Sequence, residues 1–136
     1  MKTEVVKNIS RKWYIIDAKN KILGKVCAEA AAILRGKHRV EFTPNMDNGD
    51  CVLIINSAKI KVSANKEKGK IYYRHTGHPG GLRQETFESL LKRRPTEPIT
   101  RGIKGMLPKG RLGRAMIKKL RIYKDNTNPH ISQIKE

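Results

Sequence analysis

No aspartate or glutamate lies between Ile99 and Lys124, so the cations of that stretch lack local partners for the i,i+4 pairing that solvated helix faces use. Cysteine is scarce as well. Cys27 and Cys51 stand far apart in apolar settings, neither in a CxxC pair, which points to buried free thiols rather than a disulfide framework. No apolar run approaches the length of a spanning helix and no signal-peptide core follows Met1, so neither a membrane span nor a secretory leader is expected. The cytosol or an organelle matrix is the expected compartment. Catalytic patterns are missing too: there is no GxSxG elbow and no close carboxylate pair framed for acid–base work. Cys27 falls on an apolar helix face, the wrong place for an exposed nucleophile. No enzymatic activity, cofactor, metal or small-molecule substrate is therefore expected. Repeats, low-complexity tracts and Ser/Gly linkers are absent, so residues 1–136 read as one domain with a core over about residues 12–124 and peripheral ends.

What the chain has in abundance is positive charge. Its 136 residues carry 30 Lys and Arg against 12 acids, a formal net charge of +18. Self-repulsion on that scale disfavours compaction and marks a protein that works against a polyanion. Residues 1–50, 51–100 and 101–136 each carry ten basic residues, against six, four and two acids. Positive charge is thus densest in the shortest, last segment, and the contact should weigh toward the last third.

The apolar pattern is that of an α/β domain. A strand is expected over Lys12–Asp17, and Leu23, Val26, Cys27, Ala30, Ile33 and Leu34 recur at helical spacing up to a stop at Gly36. Cys51–Asn56 reads as a second buried strand, and this strand–helix–strand order favours a parallel sheet with a right-handed crossover. Ile71–Tyr73 is expected as a third strand, leading into an irregular loop from Arg74 to Gly81. A helix is expected from Gln84 to about Arg93, then a helical stretch around Pro98–Lys104 broken by Gly102 and Gly105. Arg111–Leu120 is the best-defined helix, and Leu120–Lys124 reads as a fourth short strand.

That helix separates its residues by chemistry. At about 100° per residue, Arg111, Arg114, Lys118 and the flanking Arg121 share one arc of roughly 80°, opposite Leu112, Met116 and Leu120. One face suits a core and the other presents four cations to phosphates. Arg74 and His75, with the glycines at 77 and 80, form a second candidate, in which open backbone N–H groups approach a phosphate. Lys37, His38 and Arg39 after the first helix are a third, and Lys104 and Lys109 extend the first. Three decoys fail. Gly105 and Gly110 have Walker-loop spacing, but Arg111 and Leu112 stand where Lys and a hydroxyl are required. GxxG tetrads such as 110–113 come cheaply in a chain with 11 glycines. His75 and His78 lack the further ligands zinc needs. Aromatics are only 5% of the chain, which leaves little for a base-stacking platform; phosphates and the shape of folded RNA are the expected targets. A stand-alone RNA-binding regulator and a nucleotide-dependent enzyme using the Arg74–Gly81 loop remain the alternatives.

Several runs resemble one known family. Ile103-Lys104-Gly105-Met106-Leu107-Pro108, then Gly113-Arg114, then Leu120-Arg121-Ile122-Tyr123-Lys124-Asp125 follow the order and spacing of large-subunit ribosomal protein 13 in its bacterial or organellar form. Trp13 to Ala18, Leu23-Gly24-Lys25, Leu34 to His38, Thr43-Pro44, Gly49-Asp50 and Tyr73 to Gly77 match as well. Lys25 stands where Arg is common, His78 where an aromatic is frequent, and Ala64 where the family has glycine. The resemblance implies an α/β/α sandwich on a four-stranded parallel sheet. It also implies binding to large-subunit ribosomal RNA, a part in subunit assembly, and contacts with neighbouring ribosomal proteins.

Overall fold

The computed structural model describes residues 9–134. The two buried runs form strands β1 (Trp13–Asp17) and β2 (Cys51–Ile55), joined through helix α1 (Leu23–Arg35). They pair in parallel, and β2 is flanked on its other side by a short third strand that comes much later in the chain, Leu120–Ile122. Between them lie α2 (Lys66–Gly69), an antiparallel hairpin of β3 (Ile71–His75) and β4 (Leu82–Thr86), and helices α3 (Phe87–Arg93), α4 (Glu97–Met106) and α5 (Arg111–Ile117). The third sheet strand is therefore β5.

Strand alternation divides the β1–β2–β5 sheet into two unlike faces. Ile16, Val52, Ile54 and Leu120 point one way and join a single buried cluster with Val26, Ala30 and Leu34 of α1, Ile99 and Ile103 of α4, Phe87 of α3 and Met116 of α5. The helices thus gather on one face. The other face carries Trp13, Ile15, Leu53 and Arg121, and Leu53 is fully buried there yet outside that cluster. Across this face runs the C-terminal segment. His130 stacks on Trp13 at 5.3 Å and shares a 2.8 Å hydrogen bond with the Tyr123 hydroxyl.

Four expectations change. The parallel sheet has three strands, not four, because Ile71–His75 pairs with Leu82–Thr86 in a separate two-stranded sheet. The helix expected from Gln84 begins only at Phe87: residues 84–86 are strand, and Thr86 caps the helix by accepting from the Ser89 N–H at 3.4 Å. The helix around Pro98–Lys104 is unbroken by its glycines and runs on to Met106. Gly102 is there for contact, since a Cβ would lie 2.6 Å from the Cys27 sulfur; α1 and α4 cross at that point. The expected Arg111–Leu120 helix stops at Ile117. Cys27 itself is buried, and burial pushes its thiol up to about 11, whereas Cys51 is only half-buried.

Ala64 takes a left-handed backbone, φ 54°, where an L side chain crowds the following carbonyl at a cost of roughly 1–2 kcal/mol. Ala64→Gly removes that crowding and adds freedom to the unfolded chain, so a net gain of about 0.5–1 kcal/mol is expected. Urea unfolding reads it as a higher midpoint with unchanged slope; a lower midpoint would mean that the crowding is already relieved by neighbours.

Candidate nucleic-acid interface

Helix α5 is positioned by its apolar side. Met116 and Gly113 are buried, and Gly113 rests so close to Pro108 that a Cβ would meet its carbonyl oxygen at 1.7 Å. This turns Arg111, Arg114 and Lys118 outward, all exposed. Among the described residues none of the three side chains forms an ion pair or a hydrogen bond with the protein. Arg111 also opens the helix, whose first turn has no acid, against the preference of that end for negative charge. The charge is placed for something other than the helix.

These cations line a shallow basin of about 550 Å³ together with Arg11, Lys119 and the Asp47 carboxylate that pairs with both. On its other side, Arg114 joins Lys104 and Lys109 around a second hollow of about 230 Å³, floored by Leu107 and Ile117. The result is a continuous cationic strip across the α4–α5 joint. Arg121 is not part of it. Because α5 ends early, Arg121 sits on β5 and faces the opposite side of the sheet, where its guanidinium donates to the Lys118 and Leu120 carbonyls at 2.9 and 3.2 Å.

The 37–39 candidates separate. Lys37 is exposed. Arg39 instead grips Asp50, whose side chain is 1% exposed. Its Nε donates to Oδ2 at 3.0 Å, a second guanidinium nitrogen donates to Oδ1, and the same group reaches the Ser10 carbonyl at 2.6 Å. His38 Nε2 lies 2.6 Å from the same carboxylate, and the Lys12 N–H donates to it at 2.8 Å. Burial pushes the Asp50 carboxyl up, but the hydrogen bonds from Arg39, Lys12 and His38 outweigh it and hold the group below its usual range. A few residues away from Asp50 in space, Lys119, itself largely buried, donates to Asp47 and to the Gly49 carbonyl at 2.8 Å. Asp47 also faces Arg11 at 3.6 Å. This polar hub ties the 47–50 loop to β1, α1 and β5, and Gly49 permits it: a Cβ there would stand 1.7 Å from the Leu34 carbonyl oxygen.

Arg74 and His75 belong to β3, and only residues 76–81 form the connecting loop. Gly77 and Gly80 do take left-handed backbones, φ 87° and 68°. Part of the expected N–H cradle is spent internally, however. The Gly77 N–H donates to His75 Nδ1 at 2.9 Å, Thr76 to the Gly81 carbonyl at 3.0 Å and Gly81 to the His78 carbonyl at 2.9 Å. On its inner side the hairpin packs toward α3 and α4 around a cleft lined by five arginines. Of those only Arg74 stands out in the sequence; the rest converge from separate elements.

Among the described residues no cluster of three His, Cys, Asp or Glu could hold a metal ion, and no helix is long and apolar enough to cross a membrane.

Comparison with known proteins bears on this arrangement. The family model described as ribosomal protein L13 matches residues 11–129. The large ribosomal subunit protein uL13 of Burkholderia vietnamiensis (strain G4 / LMG 22486) is 52% identical over 125 residues, covering 92% of this chain and 88% of the relative. That of Burkholderia pseudomallei (strain 668) is 51% identical over the same shares. With most of its length matched by the family model and by relatives at this identity, the chain belongs to the ribosomal protein L13 family.

Proposed function

We propose that this chain is a structural, non-catalytic constituent of the large ribosomal subunit that holds ribosomal RNA by its phosphates and shape. One observation carries the contact surface: the strip of Lys104, Lys109, Arg111, Arg114 and Lys118 is exposed and lacks any protein partner among the described residues. Unpaired cations on a rigid two-helix joint form a ready phosphate-binding surface, because neutralising each phosphate releases condensed counterions. Arg11 extends the strip, and Lys37 and the hairpin loop at Gly77 and Gly80 form a second contact. His38 and Arg39 serve it indirectly, through the Asp50 hub that sets the loop and strand positions. Arg121 steadies the α5–β5 turn from the other side of the sheet. The family and its bacterial relatives support a place on the cytoplasmic ribosome of a bacterium, beside other large-subunit proteins. One continuous core cluster running from β1 to β5 supports a single domain.

Salt titration tests this. With about five phosphates neutralised, affinity for folded large-subunit RNA should fall on the order of 100-fold or more between about 50 and 200 mM monovalent salt. A nearly flat response would overturn phosphate binding as the mechanism.

A further inference from the structure

The hairpin register sets Arg74 directly opposite Arg83. Like charges facing each other across two strands destabilise the pair, and among the described residues neither guanidinium has a protein acceptor. Both line a cleft of about 350 Å³ that also takes in Arg94 from the end of α3, likewise without a side-chain partner among the described residues. The two carboxylates of the cleft are already taken, Glu85 by a two-pronged grip from Arg93 and Glu97 by Arg101 at 2.9 Å. Three guanidinium groups without a protein acceptor among the described residues are thus left facing one hollow.

We propose that this cleft takes a single unstacked nucleotide, its phosphate held between Arg74, Arg83 and Arg94. A lone phosphate would leave most of the volume empty, since cavities of this size accommodate small organic ligands. The lining suits the rest of a nucleotide. Leu90 is buried beneath the cleft, and the guanidinium planes of its arginines are good stacking surfaces for bases. Tyr72 is not that surface, because Arg101 and Lys70 already lie over its ring at 5.4 and 5.5 Å. The nucleotide is an unpaired one of the bound RNA, which rests on the proposed RNA function; the same chemistry would accept a free nucleotide.

The test uses the full chain and the four nucleoside 5′-monophosphates, with inorganic phosphate and a free nucleoside as controls, followed by NMR. At least one monophosphate should shift the resonances of Arg74, Arg83, Leu90 and Arg94, and should bind at least about fivefold tighter than phosphate. Arg83→Ala should cut that binding at least about tenfold while raising the melting temperature of the free protein, because it removes a facing like charge. A fall in melting temperature would assign Arg83 a structural role and overturn the proposal, as would phosphate binding as tightly as every nucleotide. Chemical probing of bases in bound large-subunit RNA separates the sources. An unpaired base shielded by the natural chain and released by Arg83→Ala places the RNA's own nucleotide in the cleft. A chain that binds the monophosphate but not the RNA keeps the cleft and sinks the ribosomal RNA reading. A chain that binds RNA identically with and without Arg83, and binds no monophosphate, sinks the cleft alone.

Discussion

Reversing Arg111, Arg114 and Lys118 together to glutamate is expected to lower affinity for folded large-subunit RNA by a factor of about 100–1,000. Each reversal removes a phosphate contact and adds repulsion, together about 3–4 kcal/mol, and 1.4 kcal/mol is a tenfold change in affinity. The free protein should keep its melting temperature within a few degrees, since surface changes away from packing typically stay within about 0.5 kcal/mol. Among the described residues none of the three side chains forms an ion pair or a hydrogen bond, and a carboxylate in place of Arg111 would even complement the start of α5. Filter binding and thermal melting on the same preparations check both halves. If melting falls as steeply as affinity, the strip serves packing, and the assignment of this face to RNA fails.

Asp50→Ala should do the opposite, costing about 2–4 kcal/mol of stability, or roughly 10 °C in melting temperature, because it leaves the Arg39 guanidinium without its counter-charge and His38 Nε2 without its hydrogen-bond partner. Both keep partial access to solvent, Arg39 18% and His38 30% exposed as side chains, which holds the loss below that of a fully buried pair. Acid sharpens the prediction. The folded-state carboxyl is held below its usual range, so its contribution is complete above the ordinary carboxylate value and is lost as pH falls through the folded one. The gap between the natural chain and the variant should therefore be widest near neutrality and close below about pH 4. RNA affinity should fall only through the unfolded fraction. A gap that stayed constant down to about pH 2 would show that Asp50 acts by packing rather than by charge.

How legible each element is depends on where its cause resides. β1, α1, β2 and the apolar side of α5 are written in local patterns, apolar runs and helical spacing, and they form where those patterns fall. β4 is not written locally. Leu82–Thr86 has little of a strand's composition and is extended because β3 lies beside it, so helical spacing from Phe87 onward spread too far back. Gly102 looks like a helix breaker until Cys27 is brought against it. Charge shows the same limit. Arg39 and Arg111 are alike in sequence, but Asp50 waits for the first and, among the described residues, no carboxylate for the second. One signal did stand in the sequence: Asp50 and Lys119 each sit at the threshold of a buried strand, where an unpaired charge is costly. The cleft arginines gave no such signal, since β3, β4, α3 and α4 each supply only part of it.

Strand order has a consequence for how the molecule is made. The central strand β2 has β1 on one side early in synthesis, but its other side stays unpaired until Leu120–Ile122 emerges. On the outer face, Trp13 waits longer still for His130. Pairing so distant in sequence is slow to form, and it is the step that also delivers α5 and its cations. The proposed RNA-binding surface therefore ripens together with the late pairing of β5, and a chain interrupted before it offers neither a finished sheet nor that surface.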